Sequence, residues 1–327
     1  MINQNTAWAW PWWSVMVLIS IVNLIVCVVA YKRSLIPKDG KDQKYRKLMR
    51  NMGVIFTVVA AYRAVFVSQY YPQRAWFDSI ANSSLLIRLF AVTAELSFSG
   101  LIALSMLRFN TYLPATKDIH ANKFKSFMTT KSPYILIICI FLAQFPATIA
   151  VINKMELLGA IEETLWLIGF LAILPLAIVQ LRRVFSIKDK EKVERLRMLR
   201  ISAIIIVVWC VIYCSYGLFF HMQEMWVSVI NQIETGTPLI QSGPNAIIDA
   251  FRIVNESKEY TDWGAGFLIW HSAYFSICVW ISIFLMQAPR PQVNSEKSNK
   301  KITKLTLVLI SLTLIALILL IFLPALT

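Results

Sequence analysis

The stretch Leu157–Phe185 reads LLGAIEETLWLIGFLAILPLAIVQLRRVF. From Thr164 to Leu181 it runs for 18 residues without a charge, enough to cross a bilayer core of about 30 Å as a helix. It ends on Arg182 and Arg183, and two adjacent glutamates, Glu162 and Glu163, stand just before its uncharged part. A run of this kind is a membrane span. It raises two questions: how many more there are, and what two acids do beside one.

The rest of the chain answers the first. Its 327 residues are 57% hydrophobic and only 15% charged, with mean hydropathy +0.62. A soluble domain would carry about a quarter charged residues. The pattern predicts an all-α integral membrane protein, a bundle of eight transmembrane helices over roughly 12–31, 51–70, 84–107, 133–153, 158–181, 201–222, 264–287 and 304–324. Lys and Arg test that count. Loops 32–50, 108–132, 182–200 and 288–304 carry eight, five, eight and five of them, whereas the other connections and ends carry only Arg74, Lys154, Arg252 and Lys258. Basic residues favour the cytoplasmic side, so both termini are expected on the outer (periplasmic or extracellular) face of a cell (inner) membrane. The net charge of +14 is then a topology signal, and no nucleic-acid partner is expected.

The whole chain, 1–327, reads as one polytopic domain with two appended features. Loop 182–200 pairs Glu191 with Arg195 and lines up Val193, Leu196 and Leu199, as a basic amphipathic helix on anionic lipid would. The outer loop 223–262 carries a second amphipathic segment, with Pro244 near its start and Ile247, Phe251 and Val254 at helical spacing. The N-terminal segment MINQNTAWAWPWW lacks the basic start and small-residue cleavage site of a signal peptide and reads as a tryptophan anchor. Five cysteines, at 27, 139, 210, 214 and 278, all fall inside predicted spans and read as small apolar side chains.

Charges within spans cost about 2.5–3.5 kcal/mol each on insertion scales, so they need a partner or a purpose. Arg63, Arg88, Glu95, Glu162, Glu163 and His271 are such residues, and the predicted topology puts nearly all of them in the outer half of the bundle. A charged cluster there is the expectation. Arg88 and Glu95 share a helix face but stand about 10 Å apart along the axis, so each is expected to find its partner on another helix. Glu162 and Glu163 point about 100° apart, one toward an arginine and the other toward a cavity. An alternative lets residues 164–181 span alone, leaving the glutamates at the interface as helix-start carboxylates. Two histidines, His221 and His271, differ too much in depth to share a haem iron, and no metal-ligand spacing occurs. The cofactor stays undetermined. Trp8, Trp10, Trp12, Trp13, Tyr70, Tyr71, Trp76, Trp226 and Trp263 read as interface belts. Trp166, Trp209, Tyr213, Tyr216, Trp270, Tyr274 and Trp280 lie deeper, where they either line a ligand cavity or pack the bundle.

The segment GAIEETLWLIGFLAILP resembles the glutamate-pair segment of the integral-membrane lycopene cyclases, in which a Pro-x-Glu-Glu run opens an apolar helix. That resemblance implies proton-initiated chemistry by the two acids. It covers fewer than 20 residues, lacks the proline and has no second copy in this chain. Three functions remain open. One is an intramembrane enzyme acting on a lipid or isoprenoid, with Glu95, Glu162 and Glu163 as acid–base groups and Arg63, Arg88, His271, Trp166 and Tyr274 binding a hydrophobic small-molecule substrate. The second is a proton-coupled carrier. The third is a non-catalytic subunit or assembly factor whose charges are packing pairs. Scarce glycine and the lack of a repeat weigh against a broken-helix carrier. Membrane lipids are the expected surroundings; protein partners are undetermined.

Overall fold

A computed structural model describes residues 9–34, 42–70, 74–113, 123–236, 242–252 and 255–291. The described residues form seven helical spans long and apolar enough to cross a membrane, so this is a multi-pass all-α membrane protein. The eighth predicted span, 304–324, lies outside the described residues, as do Trp8, Tyr71 and Val254.

In chain order the helices are α1 (Trp10–Arg33), α2 (Gln43–Val65), α3 (Ser84–Tyr112), α4 (Lys123–Asn153) and α5 (Glu156–Ser186). The short α6 (Lys190–Arg195) and then α7 (Arg197–Tyr216) follow. A π-helical turn, Gly217–His221, joins α7 to α8 (Met222–Thr235). Helices α9 (Gly243–Arg252) and α10 (Tyr260–Trp263) lead to α11 (Ala265–Ala273), a second π-helical turn at Tyr274–Cys278, and α12 (Val279–Leu285). From α2 to α5 each span packs on the next, α7 packs on α5, and α12 closes the bundle against α1, α2 and α3. Phe56, Phe98, Phe170 and Phe275 fill the interior between them.

The two ends of the bundle are built differently. At one end the basic connections are tied down by polar contacts. Arg108 pairs with Asp42 at 3.2 Å, and Arg183 bonds the Leu113 carbonyl at 2.8 Å. Arg200 donates to the carbonyl of Ile187 at 2.8 Å. Leu196 and Leu199 turn inward there, onto Phe109, Leu113 and Val184. At the other end a three-stranded sheet of two-residue strands forms a cap. Strand β1 (Ser68–Gln69) runs antiparallel to β2 (Arg74–Ala75), which pairs in parallel with β3 (Asn255–Glu256). The backbone N–H of Ala9 bonds the Lys258 carbonyl at 2.9 Å and fixes the start of α1 to this cap. On α9, Ala250 meets Leu85 of α3 and Val151 of α4.

Two sequence expectations change here. Helix α2 starts at Gln43 and ends at Val65, so residues up to 70 leave the helix and Tyr70 follows a strand instead. Three of the expected interface tryptophans are interior. Trp12, Trp76 and Trp263 are buried, and the fully buried Trp76 ring lies 5.3 Å from Trp10, 5.6 Å from Trp13 and 6.0 Å from Trp263. Aromatic rings gain more from one another and from burial than from an interface when loops fold back over them.

Candidate functional site: a buried ion network beside an aromatic cavity

The polar residues of the spans gather toward the cap end, and they divide into two groups. The first centres on Arg88 of α3, whose side chain is 1% exposed. Its Nη1 donates to Glu95 Oε1 at 3.2 Å and to Glu162 Oε1 at 2.9 Å, and its Nη2 donates to Glu95 Oε2 at 3.0 Å. Nη2 also donates to Gln144 Oε1 of α4. The Gln144 amide returns a bond to Glu95 Oε2 at 3.1 Å and donates to the Ile140 carbonyl at 2.8 Å. One arginine thus binds carboxylates from two helices and an amide from a third. A buried ion pair is tolerated when its other polar atoms are also satisfied; here both Glu95 oxygens and the Gln144 amide are bonded, while Arg88 Nε has no partner among the described residues.

The direct Arg88–Glu95 pair corrects an expectation. Seven residues separate the two backbones by about 10 Å. Helical side chains lean toward the N-terminus, so Glu95 reaches back toward Arg88, and the long arginine covers the rest. Gln144 carries no charge, so the cost of burying charge does not single it out. A lone amide in the apolar run IICIFLAQFPAT is the signal that marks it.

Arg63 of α2 is buried near this network but forms no ion pair among the described residues. Its guanidinium lies 5.0 Å from the Phe275 ring centroid and 6.0 Å from those of Tyr70 and Tyr274, and its Nη2 meets the Tyr70 hydroxyl at 3.5 Å. His271 stays apart from the carboxylates. Its ring packs 4.4 Å from Phe275 and 5.2 Å from Trp12.

Glu163 belongs to the second group. It faces a cavity of about 300 Å³ between α5, α7, the Gly217–His221 turn and α11. Tyr213 donates its hydroxyl to Glu163 Oε2 at 3.4 Å, and His221 Nε2 lies 3.7 Å from the same oxygen. The remaining wall is aromatic and aliphatic, with Trp209, Tyr216, Trp270 and Tyr274 the largest contributors. Trp270 stacks on Tyr274 at 5.3 Å, and Tyr216 on His221 at 5.5 Å. Trp166 stands behind the wall, 6.2 Å from Tyr213. The Tyr274 hydroxyl and Trp209 Nε1 are buried with no hydrogen-bond partner among the described residues.

Both π-helical turns border this cavity. Gly217 and His221 come from one, Tyr274 from the other. A π turn is less favourable than α-helix and recurs at functional sites because it re-aims side chains. Local contacts hold both turns. A Cβ on Gly217 would stand 3.1 Å from Leu167 Cδ1, so glycine lets the first turn approach α5. Asn23 of α1 donates to the Phe275 carbonyl at 3.4 Å inside the second turn and accepts from Trp280 Nε1 at 2.7 Å. Beyond the first turn, Trp226 donates to Thr164 at 3.2 Å and Ser228 to Glu156 at 2.7 Å, which clamps α8 to the start of α5.

Of the residues singled out from sequence, Arg88, Glu95 and Glu162 come together, and Glu163 and Tyr274 share the cavity. Arg63 lies between the groups against Tyr274; His271 and Trp166 are packed among rings. His221 and Tyr213 were not paired with Glu163 in the sequence, since 50 residues or more separate them from it. No group of three metal-binding side chains occurs among the described residues. Comparison of the chain with known protein families, with curated proteins and with solved structures finds no match.

Proposed function

We propose that the protein is an intramembrane enzyme that acts on a lipid or isoprenoid by proton transfer, in a cell (inner) membrane with its cap end outward. The carrying observation is the placement of Glu163. Among the described residues it is the one carboxylate on a mostly apolar and aromatic cavity, within 3.7 Å of an imidazole and 3.4 Å of a phenol. A carboxylate with an imidazole beside it can pass a proton to or from a bound molecule, a common arrangement for acid–base catalysis.

The reading narrows the acid–base set. Glu95 and Glu162 are held by Arg88 and serve the architecture, leaving Glu163 as the acid–base group, His221 as its proton partner and Tyr213 as the group that orients it. The resemblance to the lycopene cyclases implies two acids acting together. In this reading the adjacent acids instead serve different purposes.

Mass spectrometry of total lipid extracts tests it. Cells lacking the protein, cells carrying it and cells carrying Glu163→Gln at equal expression are compared. A lipid that changes with the protein and reverts in the variant is expected. Identical extracts from all three, with folded protein in the last two, would overturn the enzyme reading and favour a carrier.

A further inference from the structure

The cavity has a definite electrostatic character, and this extends the reading just given to its ligand. Five aromatic residues line it: Trp209, Tyr213, Tyr216, Trp270 and Tyr274. Among the described residues no lysine or arginine lines it, and the titratable groups there besides the tyrosines are Glu163 and His221. The faces of aromatic rings carry negative charge density, and a cation within about 6 Å of a ring centre is attracted to it, most strongly when desolvated. An ionised carboxylate at the same site adds a counter-ion. A phosphate or fatty carboxylate would meet Glu163 with only the His221 imidazole, already 3.7 Å from that carboxylate, to offset the repulsion.

We propose that the cavity binds the organic-cation end of an amphiphile, a quaternary or protonated amine seated among Trp209, Tyr213, Tyr216, Trp270 and Tyr274 with Glu163 as its counter-ion. The volume of about 300 Å³ suits a headgroup and its first methylenes. The rest of the chain has an apolar surface beside the site. On the π turn that carries His221, Leu218, Phe219 and Phe220 are exposed outward, the last two by 64% and 67%.

This inference rests on the cavity being the site, and its test separates the two. Purified full-length protein in nonionic micelles is titrated with dodecyltrimethylammonium and with the hydrocarbon in which a carbon replaces the nitrogen. The shift of the thermal midpoint gives each affinity, since a ligand of the folded state raises it. The ammonium is expected to bind about tenfold more tightly than its isostere. Glu163→Gln should remove most of that difference and leave the hydrocarbon's affinity unchanged. Tyr216→Leu, at a half-exposed ring on the cavity wall, should weaken the ammonium about threefold and serves if the first variant fails to fold. Equal affinity for the two probes would overturn the cationic ligand while leaving the cavity as a site. Binding of neither probe would overturn both. Ammonium preference that survives both substitutions would place the cation elsewhere and overturn the proposal.

Discussion

Glu162 and Glu163 are neighbours in sequence and opposites in surroundings. Glu162 ends in a network where an arginine, a second carboxylate and an amide satisfy one another. Glu163 ends at a cavity where a phenol and an imidazole reach only one of its oxygens. The difference follows from the 100° that one residue turns on a helix, which aims the first toward α3 and the second toward α7. A closed polar network specifies packing. An open one keeps bonding capacity for something that is not part of the chain.

The largest expected effect breaks the closed half. Arg88→Met leaves Glu95 and Glu162 buried without a counter-ion, and uncompensated buried charges cost about 3–5 kcal/mol. The variant is expected to lose its monodisperse peak in detergent gel filtration. Adding Glu95→Gln and Glu162→Gln to it should restore most of the stability, because all members of the network are then neutral. A single variant as stable as the parent would mean that the network is not structural.

Glu163→Gln should show the reverse profile. Turnover of the affected lipid is expected to fall by about 10²–10⁴-fold, the usual worth of an acid–base group. Its thermal midpoint should stay close to the parent's, because glutamine keeps the bond from Tyr213. Glu162→Gln sharpens the contrast: it should lower the midpoint and keep turnover in the protein that remains folded.

Tyr213→Phe removes only the hydroxyl that meets Glu163 at 3.4 Å. Loss of one hydrogen bond costs about 0.5–1.5 kcal/mol, so turnover should fall about threefold to tenfold with the fold intact. The ratio of the Tyr213→Phe and Glu163→Gln effects then measures how far the phenol acts through the carboxylate.

The smallest effect belongs to the cap. Lys258 donates to Glu256 and holds its carboxyl below the usual carboxylate range. A depressed carboxyl adds stability above its unfolded value of about 4.3, and that contribution is lost as pH falls through the lowered value. Lys258→Ala should therefore lower the thermal midpoint slightly near neutral pH, and in strong acid the difference should shrink to what the contact of Lys258 with the Trp10 ring, at 5.5 Å, contributes. Glu256 is exposed, so salt should weaken the ion-pair part as well.

Much of this was legible in the chain. The apolar runs placed the seven described spans to within a few residues at most ends, because 18 uncharged residues leave little choice in a bilayer. The charges within the spans were legible for the same reason: each is too costly to be there without a partner. The long segment Arg197–Thr235 was not. Its 39 residues would reach about 58 Å as a helix, well past the bilayer core, and the sequence reading stopped it at 222. Its continuation depends on Trp226 and Ser228 bonding α5, contacts between residues far apart in sequence.

By itself the sequence determined that this is a helical multi-pass membrane protein and which charged residues lie within its spans, since the cost of charge in hydrocarbon is a property of each residue. Only the tertiary structure decided how those residues pair. Hydrogen bonds of about 3 Å depend on how helices rotate against one another, and that rotation is set by packing across the whole bundle. The Arg88 network gathers three helices, and the Glu163 cavity depends on two π turns, one of them held by Asn23 of α1. No local stretch contains that information, so the charges were visible in the sequence while their division into a closed network and an open site was not.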